Sequence, residues 1–134
     1  MIPFGPQLIG QTEKALNALL LTLLFPHALS EREWVTLRLV SQFEGEGSVD
    51  RFVADRLHDP DSALFLRALQ ERGLVEGSHL SPTGTTLVAE ISREIARVAG
   101  PIWDEVDHDD ALAATRALNH ILEKTRLLLR ASAV

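Results

Sequence analysis

Four groups of residues in this chain have side chains and spacings suited to chemistry. His58, Asp59 and Asp61 lie together around Pro60. Asp104, Glu105, Asp107, His108, Asp109 and Asp110 form a short acidic run. Carboxylates and imidazoles are metal ligands, so either group has the donors for a cation. Helix-end chemistry explains both more simply: Asp59 and Asp107 as caps, with Asp109 and Asp110 favoured by the positive end of a helix dipole. On that reading neither group is a metal site. A third group is polar and basic: Ser48, Arg51 and Arg56, followed by Ser62, Phe65 and Arg67. Arginine and serine are suited to phosphate oxygens and base edges. Trp34, Phe43 and Trp103 form the fourth, an aromatic set that would line either a core or a small-molecule pocket.

A catalytic set is not legible. The chain has no glycine-rich phosphate loop, no G-x-S-x-G and no H-E-x-x-H. Cysteine is absent, which excludes disulfides, thiolate zinc sites and thiol redox chemistry. No cofactor is implied, and an enzyme is not expected.

The elements that must position these groups follow from hydrophobic periodicity. Leu8, Thr12, Ala15, Leu16, Leu19, Leu20, Leu23 and Leu24 recur at helical spacing, predicting a first helix over Leu8–Phe25 that Pro26 ends. From Leu19 onward this helix is apolar nearly all round, so it needs cover on several sides. In a small chain a second subunit is a natural cover. Ser30-Glu31-Arg32-Glu33 is a capping box that opens a second helix, with Trp34, Leu37 and Val40 on its apolar face. Glu44-Gly45-Glu46-Gly47 is a break. Ser48 begins a short third helix through Leu57.

His58–Asp61 is a tight turn, with Asp59 as cap and Pro60 at the first position of a fourth helix that runs to Glu71 or Arg72. Ala63, Leu64, Leu66 and Leu69 are expected on its buried face, and Phe65 outside. Gly73 is a C-cap signal. Leu74-Val75-Glu76 and His79-Leu80 read as two tiny strands around Gly77-Ser78. A long helix over Thr83–Val98 is interrupted by Gly100-Pro101, and a last helix covers Asp107–Ala131.

Composition bounds the whole. With 134 residues, 46% of them apolar and 24% charged, the chain can build its own core as one compact, mainly helical domain. The first six residues lack the features of a signal peptide, and Ala15–Phe25 is too short to span a bilayer. A soluble cytoplasmic protein that does not engage membranes is expected. Net charge is −6, unlike the basic balance of most nucleic-acid binders.

The order helix, turn, helix, short hairpin, helix is that of a winged helix-turn-helix. Four stretches resemble the MarR family of bacterial transcription regulators. Leu29–Arg38 resembles that family's L-T-x-x-Q-W-x-V-L-R, and Ser48–Leu57 its T-V-S-E-L-A-E-R-L helix. Leu69–Glu76 is similar to L-E-x-R-G-L-V-E, and Leu80–Gly84 to L-T-x-x-G. The resemblance covers nearly the whole chain, in order. It implies a winged helix-turn-helix lobe over residues 28–82, with dimerisation helices over 1–27 and 83–134. It further implies a homodimer that binds a palindromic site on double-stranded DNA through Asp59–Arg72. A small-molecule effector between the dimer helices and the lobe would regulate it, as in a ligand-responsive repressor.

Within that frame Ser62 and Arg67 are the candidates for base contact, with Phe65 beside them, and Arg51 and Arg56 for phosphate, with Ser48 nearby. Trp34, Phe43 and Trp103 are the candidate effector pocket. Leu8, Leu16, Leu20, Leu118, Leu122 and Leu128 are the candidate dimer interface.

Two departures from the family pattern bear on function. Only Gly77-Ser78 separates the wing strands, and no arginine is present there for the minor groove. The recognition segment opens with two acids, and residues 30–80 hold six arginines against ten acids, a net of −4 with histidine neutral. The competing reading is a winged-helix module that has lost specific DNA binding and contacts a protein or senses a ligand instead.

Overall fold

The computed structural model describes residues 1–132. The chain divides into two compact units, Met1–Ala96 and Arg97–Val134. The order is α1 (Pro6–Leu24), a single 3-10 turn (Phe25–His27), α2 (Glu31–Gln42), α3 (Val49–Leu57), α4 (Ser62–Glu71), β1 (Val75–Glu76), β2 (His79–Leu80), α5 (Pro82–Asp104) and α6 (His108–Ser132). Mainly helical with one antiparallel two-stranded hairpin, this is a winged helix-turn-helix.

The first unit is built on a core to which α1, α2, α3, α4, β1 and α5 each contribute. Leu24, Leu37, Val53, Leu66, Leu69 and Ile91 are among its most completely buried side chains. Removing a leucine of this kind from water contributes about 1.5–3 kcal/mol. Pro26 does not stop α1 outright. The chain continues for one 3-10 turn, then leaves the helical direction at Ala28, whose φ is 53°.

Local chemistry sets the remaining boundaries. At α2 the capping box is complete: Glu33 N donates to Ser30 Oγ at 3.1 Å, and Ser30 N donates to Glu33 Oε1 at 3.0 Å. At α3 the Arg51 amide donates to Ser48 Oγ at 3.4 Å. Helix α4 ends in a Schellman motif. Gly73 N donates to Gln70 O and Leu74 N to Leu69 O, both at 3.0 Å, with Gly73 at φ 74°. Leu69 and Leu74, which flank that motif, are both buried in the core.

The hairpin pairs Val75 with Leu80 and Glu76 with His79. Gly77, at φ 61°, is the first of its two loop residues, the position where a type II′ turn takes glycine. Ser81 then locks the hairpin to α5. Its amide donates to Leu74 O at 3.0 Å, its hydroxyl donates to Gly73 O at 2.6 Å, and the same hydroxyl accepts from Gly84 N at 2.9 Å.

Two boundaries differ from expectation. Helix α4 begins at Ser62 rather than at Asp59-Pro60. Asp59 Oδ1 accepts from the Asp61 amide at 2.8 Å, closing a side-chain turn that holds residues 59–61 out of the helix. Gly100-Pro101 does not interrupt α5, which runs on to Asp104. Proline removes one donor from the ladder there, and the helix continues for three more residues.

In the second unit α6 starts as expected: Asp107 Oδ2 accepts from the amides of Asp109 and Asp110 at 3.1 and 3.4 Å. Among the described residues no helix is long and apolar enough to cross a membrane.

Candidate nucleic-acid interface

Helices α3 and α4 are joined by residues 58–61, the short connection a helix-turn-helix needs. His58 takes the left-handed conformation at the end of α3, φ 53°, and turns the chain toward α4. Helix α4 leaves one face to solvent. Ser62, Leu66 and Leu69 are buried, Phe65 and Ala68 half-buried, and Ala63, Leu64 and Arg67 exposed.

This phase corrects the sequence reading at several positions. Ser62, expected to reach a base edge, is only 8% exposed and lies against the first unit's interior. Phe65, expected outside, is half-buried, while Ala63 and Leu64, expected inside, are exposed. Leu64 is 57% exposed and is the residue of this surface that sequence reasoning missed.

The six arginines of the lobe divide by what they touch. Arg32 Nε donates to Asp59 Oδ2 at 2.5 Å. That hydrogen bond, with a further one from the Asp61 amide, holds the Asp59 carboxyl below its usual range and raises the Arg32 guanidinium above its own. Arg72 donates to Ala28 O at 3.0 Å and His27 O at 3.3 Å, and lies 3.6 Å from a Glu33 oxygen. It is therefore a brace between the end of α4 and the segment before α2.

Arg38 lies 5.7 Å from the Trp34 ring centre, and Arg56 stacks on Phe52 at 3.8 Å while donating to Phe52 O at 3.2 Å. Arg51 and Arg67 are exposed, and no described residue pairs with their guanidinium groups. One cation on α3 and one on α4 are thus left to meet anions. Ser48, beside them in sequence, is exposed and caps α3.

The aromatic set is divided between the two units. Trp34 and Phe43 are buried in the first unit, and Phe43 packs edge-on to Phe52 with ring centres 5.3 Å apart. Trp103 belongs to the second unit and is 60% exposed. An open depression of about 450 Å³ lies instead along α5, lined by Pro82, Thr83, Thr86, Leu87 and Glu90. Among the described residues no group of three or more His, Asp or Glu is arranged to hold a metal ion. Of the acidic run, Asp104 ends α5 and Asp107 caps α6.

Of the candidate interface leucines, Leu8 and Leu16 are half-buried, and Leu20 packs against the first unit's core. Leu118 and Leu122 are exposed, and Leu128 is 70% exposed.

No family model matches the chain, and no curated protein matches its sequence. Among solved structures, that of ligand-free NadR is similar to it, with 21% identity and a TM-score of 0.71. The likeness covers 94% of this chain and 99% of that one. Helix order, the antiparallel hairpin and this neighbour agree that the chain has a winged-helix fold.

Proposed function

We propose that this chain is a homodimeric, DNA-binding transcription regulator that acts as a ligand-responsive repressor. The observation that carries the reading is the division of charge on the helix-turn-helix. Arg51 and Arg67 are unpartnered on α3 and α4, while Asp59, the acid that opens the connection to α4, is neutralised by Arg32. Arg67 supplies base contact, and Arg51 supplies phosphate contact. Arg56 adds positive charge to the same helix although its guanidinium stacks on Phe52. Ser62 is withdrawn from the base-reading set because it is buried.

The wing contributes little, since its loop is Gly77-Ser78. Recognition therefore rests on the major groove. The depression along α5 is the place for a small effector. The experiment is a gel shift on the promoter region of the protein's own gene at two salt concentrations. A shift that weakens as salt rises is expected, because phosphate contacts release counterions. Absent or salt-insensitive binding contradicts the reading.

A second reading keeps the fold and exchanges the partner: a winged-helix module that contacts a protein surface in place of DNA. The formal charge of −4 over residues 30–80 favours it. The same gel shift separates the two.

A further inference from the structure

Between residues 28 and 96 one large apolar side chain is exposed, and it is Leu64. The lobe keeps every other large hydrophobic at least partly covered. The exception stands in the first turn of α4, with Ala63 beside it and Arg67 one helical turn on. Residues three and four apart share a helix face, so Ala63, Leu64 and Arg67 present one continuous surface. A lone leucine beside a cation is too small an apolar patch to dock a protein, which needs several hundred Å². It is the right size for a thymine methyl group, which in the major groove is recognised by apolar contact. Arg67 is the right donor for the O6 and N7 acceptors of guanine.

We infer that Leu64 is a specificity-determining residue that reads a thymine 5-methyl group, next to a guanine read by Arg67. The inference rests on the DNA-binding reading above. One helical turn rises 5.4 Å and one base-pair step about 3.4 Å, so the two bases stand roughly one to two steps apart. The preferred half-site thus contains a thymine and a guanine at that spacing. Ser62, buried, does not contribute to the choice.

The test selects bound sequences from a duplex pool with a randomised core, using the full-length protein. Each selected thymine is then replaced by deoxyuridine, which lacks only the methyl group. The wild type is expected to lose about fourfold in affinity at one position of the half-site, the equivalent of one buried methyl. The Leu64→Ala variant is expected to show no such loss there. Replacing the neighbouring guanine by 7-deazaguanine is expected to weaken the wild type about tenfold and Arg67→Ala far less.

Because Leu64 is exposed, Leu64→Ala should melt at the wild-type temperature, which separates readout from folding. If deoxyuridine is tolerated everywhere, or costs the variant as much as the wild type, the inference fails while DNA binding stands. If no duplex is enriched, the inference and the DNA-binding reading both fail.

Discussion

Arg32 donates its Nε–H to Oδ2 of Asp59 at 2.5 Å, joining the first turn of α2 to the connection between α3 and α4. The same carboxylate accepts from the Asp61 amide through its other oxygen. One side chain thus holds the connection before α4 in a turn and has its charge compensated by Arg32. In the folded state the Asp59 carboxyl titrates below its unfolded value, because the hydrogen bond from Arg32 favours the charged form. The pair therefore stabilises the fold at pH values above the ordinary aspartate range, near 3.9, and that contribution is lost as pH falls through the lowered folded value. Asp59→Asn should melt below the wild type at neutral pH. The two melting curves should converge on acidification below about pH 3.9. Thermal melts from neutral pH downward check this, and a pH-independent difference would contradict it.

Gly84 approaches the wing so closely that a Cβ there would lie 2.0 Å from the Leu74 carbonyl oxygen. Backbone on both sides leaves no flexible side chain to give way. Gly84→Ala should destabilise the protein by about 3 kcal/mol, at the upper end of ordinary overpacking. Gly100, in the same helix, has open space where an alanine methyl would stand, with nothing within 4 Å, and its φ is not positive. Gly100→Ala should be neutral, or stabilising by about 0.5–1 kcal/mol. Urea unfolding of the two variants separates them.

Ser81 is buried and holds two backbone groups through one hydroxyl, the Gly73 carbonyl and the Gly84 amide. Ser81→Ala leaves both without that partner. A loss of about 1–3 kcal/mol is expected, since a missing cap and an unsatisfied buried group act together. Ser81→Thr, which keeps the hydroxyl, tests whether the bond or the space matters. If Ser81→Ala matches the wild type in denaturant midpoint, the lock is not energetically significant.

These joints explain why the fold was legible in the sequence and the candidate DNA-binding surface less so. Arg72-Gly73-Leu74 and Ser81-Pro82-Thr83-Gly84 carry much of the resemblance to the MarR pattern. In the structure they are a brace, a Schellman turn, a cap and a close approach. Each has a physical requirement that only a few residue types meet, so the string itself announces the architecture. None of them faces solvent on α4. That helix has ten residues, and Ala63, Leu64, Phe65, Leu66, Ala68 and Leu69 place apolar side chains on every side of it. Periodicity cannot choose a face from such a run. Packing makes the choice: Leu66 and Leu69 enter the core, Ser62 shares their side, and Leu64 is left outward. The continuation of α5 past Gly100-Pro101 was hidden because the dipeptide is a strong break signal in a sequence.

Arg51 and Arg72 should behave oppositely on substitution, although both are arginines of the same lobe. Arg51 has an unpartnered guanidinium, whereas Arg72 holds His27 O and Ala28 O and lies beside Glu33. Arg51→Ala should leave the melting temperature unchanged and reduce the slope of log affinity against log salt by about one. Arg72→Ala should lower stability by about 1–3 kcal/mol, because two carbonyls lose a charged donor. Binding isotherms at several salt concentrations, paired with melts, check both.

The last helix supplies a test of assembly. Leu118, Leu122 and Leu128 are exposed on α6 of the single chain, together with Leu112, Ile121, Leu127 and Leu129. Exposed leucines are ordinary one at a time, but this many on one helix form an apolar surface that water does not favour. A second copy of the chain would cover it. Burying one leucine is worth about 1.5–3 kcal/mol, and in a symmetric dimer each substitution acts twice. Leu122→Glu with Leu128→Glu should therefore raise the dimer dissociation constant by about 100-fold or more, while each position, being exposed in the single chain, leaves the α3–α4 surface intact. Sedimentation velocity over a concentration series reads the outcome. A wild type that sediments as a monomer at micromolar concentration would overturn the homodimer, and a variant that remains as dimeric as the wild type would remove Leu122 and Leu128 from the interface.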